Sequence, residues 1–179
     1  KIVRAEFQKL TAIALDRPGD AYRELITNFE FLLTDAQNRV ATEIAEDLTR
    51  PIPTLRLIQG DVGSGKTVIA VLAATHAFEN KLQTAIMAPT ELLAEQHYMN
   101  FTNWLSPINI KTAWLSSRVT GKRRNAELER IRDGEAEVII GTHALFQNDV
   151  EFNNLGLVII DEQHRFGVKQ RNKLLNKWI

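Results

Sequence analysis

Residues 60–67, Gly60-Asp61-Val62-Gly63-Ser64-Gly65-Lys66-Thr67, fit G-x-x-x-x-G-K-[ST] at every fixed position. The spacing suits phosphate. Glycines let the backbone turn tightly, so that successive N–H groups face one anion. A helix opening at the end of the loop adds the positive end of its dipole. Residues 55–59 (LRLIQ) read as a short strand just before the loop, and 67–78 as an apolar helix just after it. Strand, glycine loop and helix in that order predict a nucleotide cradle made of Gly60, Asp61, Val62, Gly63, Ser64, Gly65, Lys66, Thr67 and Val68. Lys66 is expected to reach the β- and γ-phosphates of ATP, and the Thr67 hydroxyl to take one place on Mg²⁺. The bland alternative, a glycine turn with no ligand, does not explain why lysine and threonine follow at those two positions.

A phosphate loop needs an acidic counterpart. Residues 157–160 (LVII) form a continuous apolar run, as suits a parallel strand buried on both faces. The run delivers Asp161 and Glu162 at its carboxyl end. Asp161 is expected to hold Mg²⁺, and Glu162 to orient and deprotonate the attacking water. His164 is read either as a structural histidine or as a link from the γ-phosphate site to a moving neighbour. No residue is an obvious cationic finger for the γ-phosphate. The expectation is therefore a chain that binds nucleotide but hydrolyses it poorly unless another segment or a partner supplies that charge.

Three further strands are expected at 84–88, 111–115 and 137–140. Pro89 closes the first, and Thr90 and Glu91 then open a helix whose core stripe reads Ala94, Tyr98, Phe101 and Leu105. His97 is read as sharing that helix without a catalytic part. Residues 118–137 hold six basic and five acidic side chains, with the positive charges leading. Arg123 and Glu127 stand at i, i+4, as on a solvated helix. Arg118, Lys122, Arg123 and Arg124 make a small basic cluster near Gly121 that could hold phosphates, although a solvated face explains it equally simply. Strands alternating with helices predict an α/β fold with a doubly wound parallel sheet. Gly60, Thr90, Thr142 and Asp161 all follow expected strands, so they should line the rim where such sheets bind ligands.

Upstream, residues 1–28 read as two short amphipathic helices broken at 17–20 (RPGD), a link that packs on a neighbouring domain. Thr34 and Gln37 are spaced as a capping box for the next helix, and the Gln37 amide could also read an adenine edge. The 179 residues suit one domain, the 44% apolar content is ordinary for a globular chain, and the formal net charge is zero. Nucleic-acid binding must then come from a local surface. There is no cysteine, which removes disulfides and thiolate chemistry and is compatible with a cytoplasmic setting. No run of 18 apolar residues suggests a membrane span. The chain starts at Lys1 and stops at Ile179 within an apparent helix, so a longer protein is expected.

GDVGSGKT at 60–67, APTELLAEQH at 88–97, GTHAL at 141–145 and DEQHRFGVKQR at 161–171 together resemble the RecG family of superfamily-2 DNA translocases, which remodel branched DNA and stalled replication forks. The resemblance covers 31–179 and implies the first of two RecA-like motor domains, a P-loop NTPase of three α/β/α layers. Residues 1–30 would be the helical link from a DNA-binding wedge domain. It implies adenine sensing by Gln37 and phosphate and Mg²⁺ binding by Gly63, Gly65, Lys66 and Thr67. Asp161, Glu162, Gln163 and His164 would form the second ATPase motif. Thr90, Glu91, Arg118, Thr142 and His143 would lie along a DNA backbone. The family pattern has Leu-Pro-Phe before the Leu-Thr of the adenine motif, whereas Phe29-Glu30-Phe31 stands here. Expected partners are branched double-stranded DNA, the second motor domain and the wedge domain, in a monomeric, non-membrane protein. Rival readings are a transcription-repair coupling translocase, a nucleotide-dependent clamp and a P-loop ATPase unconnected with DNA. The first has Glu at the place of Gln163 and Phe at that of Ser64.

Overall fold

A computed structural model describes residues 54–58 and 66–161, with Ala21, Glu24, Leu25, Thr27, Asp35 and Arg39 as helical positions upstream. The capping box, the glycine loop up to Gly65, Glu162 to His164 and the expected final helix lie outside the described residues.

Strand β1 (Thr54–Ile58) leads towards helix α1 (Lys66–Glu79), followed by β2 (Gln83–Met87) and α2 (Glu91–Leu105). Then come β3 (Thr112–Leu115), α3 (Gly121–Arg132), β4 (Val138–Gly141) and β5 (Leu155–Asp161). All five strands are parallel, in the order β1-β5-β2-β4-β3. Every strand read from the sequence is present, with ends displaced by a residue or two.

Period-two alternation divides the sheet into two faces. Ile86, Val138, Ile140, Leu157 and Ile159 face α1 and α2. Met87, Ala113, Leu115, Ile139, Val158 and Ile160 face the other way, towards Ile131 of α3 and Leu145. Two helices on one side and one on the other give three layers. Helix α1 is buried around most of its circumference, which its small residues Ala70, Ala73, Ala74 and Ala77 permit by letting the sheet and α2 approach closely. Leu25, 1% exposed, joins the α1/α2 cluster, so this helical position packs into the same core.

Helix α2 begins cleanly because Thr90 is extended and its hydroxyl accepts from the Leu93 amide, 3.2 Å away. Its buried stripe is Ala94, His97, Phe101 and Leu105. Tyr98 is only partly buried and packs on Trp114, their ring centroids 5.3 Å apart. The stripe thus turns towards position 97, one residue from the sequence expectation. Both 97 and 98 follow Ala94 at helical spacing, and the partner available to His97 decides between them. Burying Phe101 completely contributes about 2–3 kcal/mol.

Candidate functional site

The carboxyl ends of the strands form one rim, and two residues from opposite ends of the described chain meet there. Thr67, in the first turn of α1, and Asp161, the last residue of β5, line the same small crevice with Ala70, Ile86, His97, Phe101 and Ile159. Strand alternation explains the meeting. Leu157 and Ile159 face α1 and α2, so Asp161, two residues further on, turns to that side as well. Asp161 is 2% exposed despite its charge.

His97 explains part of how a carboxylate tolerates that burial. Its Nε2 lies 2.7 Å from Asp161 Oδ2, and both side chains are buried. A carboxylate only accepts, so Nε2–H donates. The imidazole is also held edge-on to Phe101, centroids 6.4 Å apart and planes at 87°. Sequence reading missed this residue. The available signal was a histidine at the i+3 position of an otherwise apolar stripe, and its partner lies 64 residues away.

The donor set fits magnesium. Thr67 brings a hydroxyl and Asp161 a carboxylate to the walls of one small, largely apolar crevice, and such hard oxygen donors are those Mg²⁺ prefers. Lys66 is the first residue of α1, at the end of the glycine loop.

The rest of the rim carries the positions expected along DNA. Thr90 is exposed at the start of α2 and Arg118 is exposed after β3. Glu91 Oε1 accepts from the Ser117 amide at 3.1 Å and from its hydroxyl at 2.6 Å, so it anchors the loop that presents Arg118. Burial pushes the Glu91 carboxyl up, but the Ser117 and Ser116 hydrogen bonds and the nearby Arg118 charge outweigh it and hold it below its ordinary value. Gly141 ends β4 against its neighbour: a Cβ there would stand 2.0 Å from the Leu115 carbonyl oxygen. Only glycine lets β3 and β4 approach so closely at this point. Thr142 follows and is buried, its hydroxyl accepting from the Ala144 amide at 3.4 Å to start a short 3₁₀ turn, while His143 is exposed.

The basic cluster is only partly open. Arg124 donates to Gln147 and to both oxygens of Asp149 at 2.7–2.9 Å, which ties α3 to the loop before β5. Lys122 and Arg123 remain exposed. Glu127 pairs with Arg130 and accepts from the Trp114 amide, instead of meeting Arg123 as i, i+4 spacing suggested.

Comparison with known proteins agrees with this architecture. The DEAD/DEAH box helicase family model matches residues 34–179. The chain is 52% identical over 175 residues to the ATP-dependent DNA helicase RecG of Pasteurella multocida and 50% identical to that of Escherichia coli K12. In each case 98% of this chain is covered but only a quarter of the relative's length. A solved structure of RecG bound to a three-way DNA junction superposes with a TM-score of 0.80 at 46% identity, covering 93% of this chain and 23% of that one. A hypothetical ATP-dependent RNA helicase from Sulfolobus tokodaii, 14% identical with a TM-score of 0.58 over 89% of this chain and 54% of that one, shares the fold.

Proposed function

Since the chain belongs to the DEAD/DEAH box helicase family and, within it, to the RecG group, we propose that it works as the first RecA-like motor domain of an ATP-dependent DNA helicase that remodels branched DNA and stalled forks. The observation that carries the reading is the shared crevice of Thr67 and Asp161. A glycine turn with no ligand has no reason to bring a hydroxyl from a helix N-terminus to a buried carboxylate at a strand tip.

In this reading the amides of 60–65 and of Val68 hold the phosphates, Lys66 reaches the β- and γ-phosphates, and Gln37 reads the adenine. Thr67 and Asp161 hold Mg²⁺, which neutralises phosphate charge. Glu162 orients the attacking water and accepts its proton, and His164 links the site to the second motor domain. That domain supplies the missing cationic finger. Thr90, Arg118 and His143 lie along a DNA backbone, with Glu91 holding the Arg118 loop and buried Thr142 starting the turn that presents His143. Such contacts position the duplex without reading its sequence. The junction bound by the solved relative supports branched double-stranded DNA as the partner. Among the described residues no helix is long and apolar enough to cross a membrane, and a monomeric protein acting in the cytoplasm is part of the proposal.

Forked DNA should stimulate the intact protein's ATPase more strongly than blunt duplex, and Lys66→Ala should abolish the stimulated rate. This chain alone should bind Mg·ATP yet turn it over slowly. Turnover indifferent to DNA would favour a metabolic ATPase, and DNA binding without coupled turnover would favour a clamp.

A further inference from the structure

The contact between α2 and the tip of β5 has no place in the scheme above. His97 is the one polar side chain among the four buried residues of α2, and its Nε2–H meets Asp161 Oδ2 at 2.7 Å. Asp161 is the carboxylate assigned to the metal, so this assignment rests on the functional reading already given. We propose that His97 is a positioning residue for metal-dependent nucleotide binding: it fixes the rotamer of Asp161 so that the carboxylate meets Mg²⁺ beside Thr67.

Three observations support it. First, the bond is short and buried, so water does not compete for it. Second, the imidazole has little freedom to follow a moving carboxylate, because Phe101 stands edge-on to it and Ala94 and Phe101 bracket it on the same stripe. Third, the pair is embedded in the wall of the crevice that Thr67 completes. A ligating carboxylate with one oxygen held by a rigid donor is preorganised, and losing such a support commonly costs about 10–100-fold in metal affinity or activity. Geometry adds a consequence. His97 lies seven residues into a helix that opens at exposed Thr90, about 10 Å along its axis. The same hydrogen bond therefore ties the rim to the metal carboxylate.

The test uses two variants of the intact protein. His97→Phe keeps a ring against Phe101 and removes the donor; His97→Gln keeps an N–H of similar reach. ADP affinity is measured by titration calorimetry in EDTA and then across a Mg²⁺ series, beside Asp161→Asn as a reference. The expected result is that His97→Phe binds ADP normally in EDTA but needs about ten-fold more Mg²⁺, or higher, for the same gain in affinity, and that His97→Gln recovers most of the loss. Equal losses with and without Mg²⁺, or a wild-type Mg²⁺ dependence in His97→Phe while Asp161→Asn loses it, would overturn the inference alone. If Asp161→Asn itself keeps a normal Mg²⁺ response, the assignment of the metal site falls and the inference falls with it. Should His97→Phe not fold, the Mg²⁺ series on His97→Gln decides. A dependence unchanged from wild type agrees with the proposal only if His97→Asn, whose shorter amide falls away from Asp161, shows the shift.

Discussion

Gln83 offers the sharpest quantitative test of how this domain is held together. It is 4% exposed in β2, and its amide serves four backbone groups from three separate segments. Nε2 donates to the Ile131 carbonyl at 2.9 Å and to the Ala136 carbonyl at 2.8 Å. Oε1 accepts from the Asn153 and Asn154 amides at 2.8 and 3.0 Å. One side chain thus closes the end of α3, the turn into β4 and the approach to β5. Gln83→Leu keeps the volume and removes all four bonds. At about 1 kcal/mol net for each, the loss is about 4 kcal/mol. Two structural details trim the figure: Ile131 keeps its bond from the Gly134 amide, and the exposed Asn153 and Asn154 can turn their amides to water. The Ala136 carbonyl has neither outlet. We therefore expect about 3 kcal/mol, a large share of the roughly 5–15 kcal/mol that folds a domain. Urea unfolding followed by circular dichroism should move the midpoint down by about 1–3 M, given slopes of about 1–3 kcal/mol per molar. A loss under about 1 kcal/mol at unchanged slope would refute the reasoning.

Three other perturbations read out separate parts of the fold. Thr84 is buried and its hydroxyl has no hydrogen-bond partner; Thr84→Val should raise stability by about 1 kcal/mol, measured by the same urea titration. Gly141→Ala would drive a methyl into the Leu115 carbonyl, and should cost about 2–4 kcal/mol as β3 and β4 part and the Thr142 amide loses its 3.2 Å bond to that oxygen. A melting temperature within error of wild type would show that the strands spread without cost. The lowered Glu91 carboxyl stabilises the folded chain above its ordinary value of 4.5, and that contribution disappears as pH falls through the folded-state value. Wild type should therefore melt above Glu91→Gln at neutral pH, with the gap closing in acid; a gap independent of pH would contradict the assignment.

The sequence made strands and rim legible because both are local signals. An apolar run ending in Asp161-Glu162, and Pro89 before Thr90, mark strand ends without reference to anything distant. Pairing order was not legible: nothing within residues 54–58 says that their neighbour is β5 and not β2. The same limit hid His97. Positions 97 and 98 suit the stripe of α2 equally by spacing, and the carboxylate that selects His97 arrives from another strand. Arg124 likewise reads as part of a basic cluster until Gln147 and Asp149 are brought beside it. At Thr142 the reverse occurred, since a hydroxyl expected to face outward is spent on starting a turn.

The place of β5 has a consequence for how the chain matures. It lies between β1 and β2, so those two strands never touch each other and each is completed only by a segment some 70 to 100 positions downstream. Emerging from a ribosome, β1 would have no partner strand, and β2 could pair only with β4, until the segment ending at Asp161 has cleared the exit tunnel. Such long-range closure slows folding and leaves sticky edges exposed meanwhile. The acid assigned to the metal therefore sits at the end of the keystone strand, and the rim acquires it only as the sheet closes.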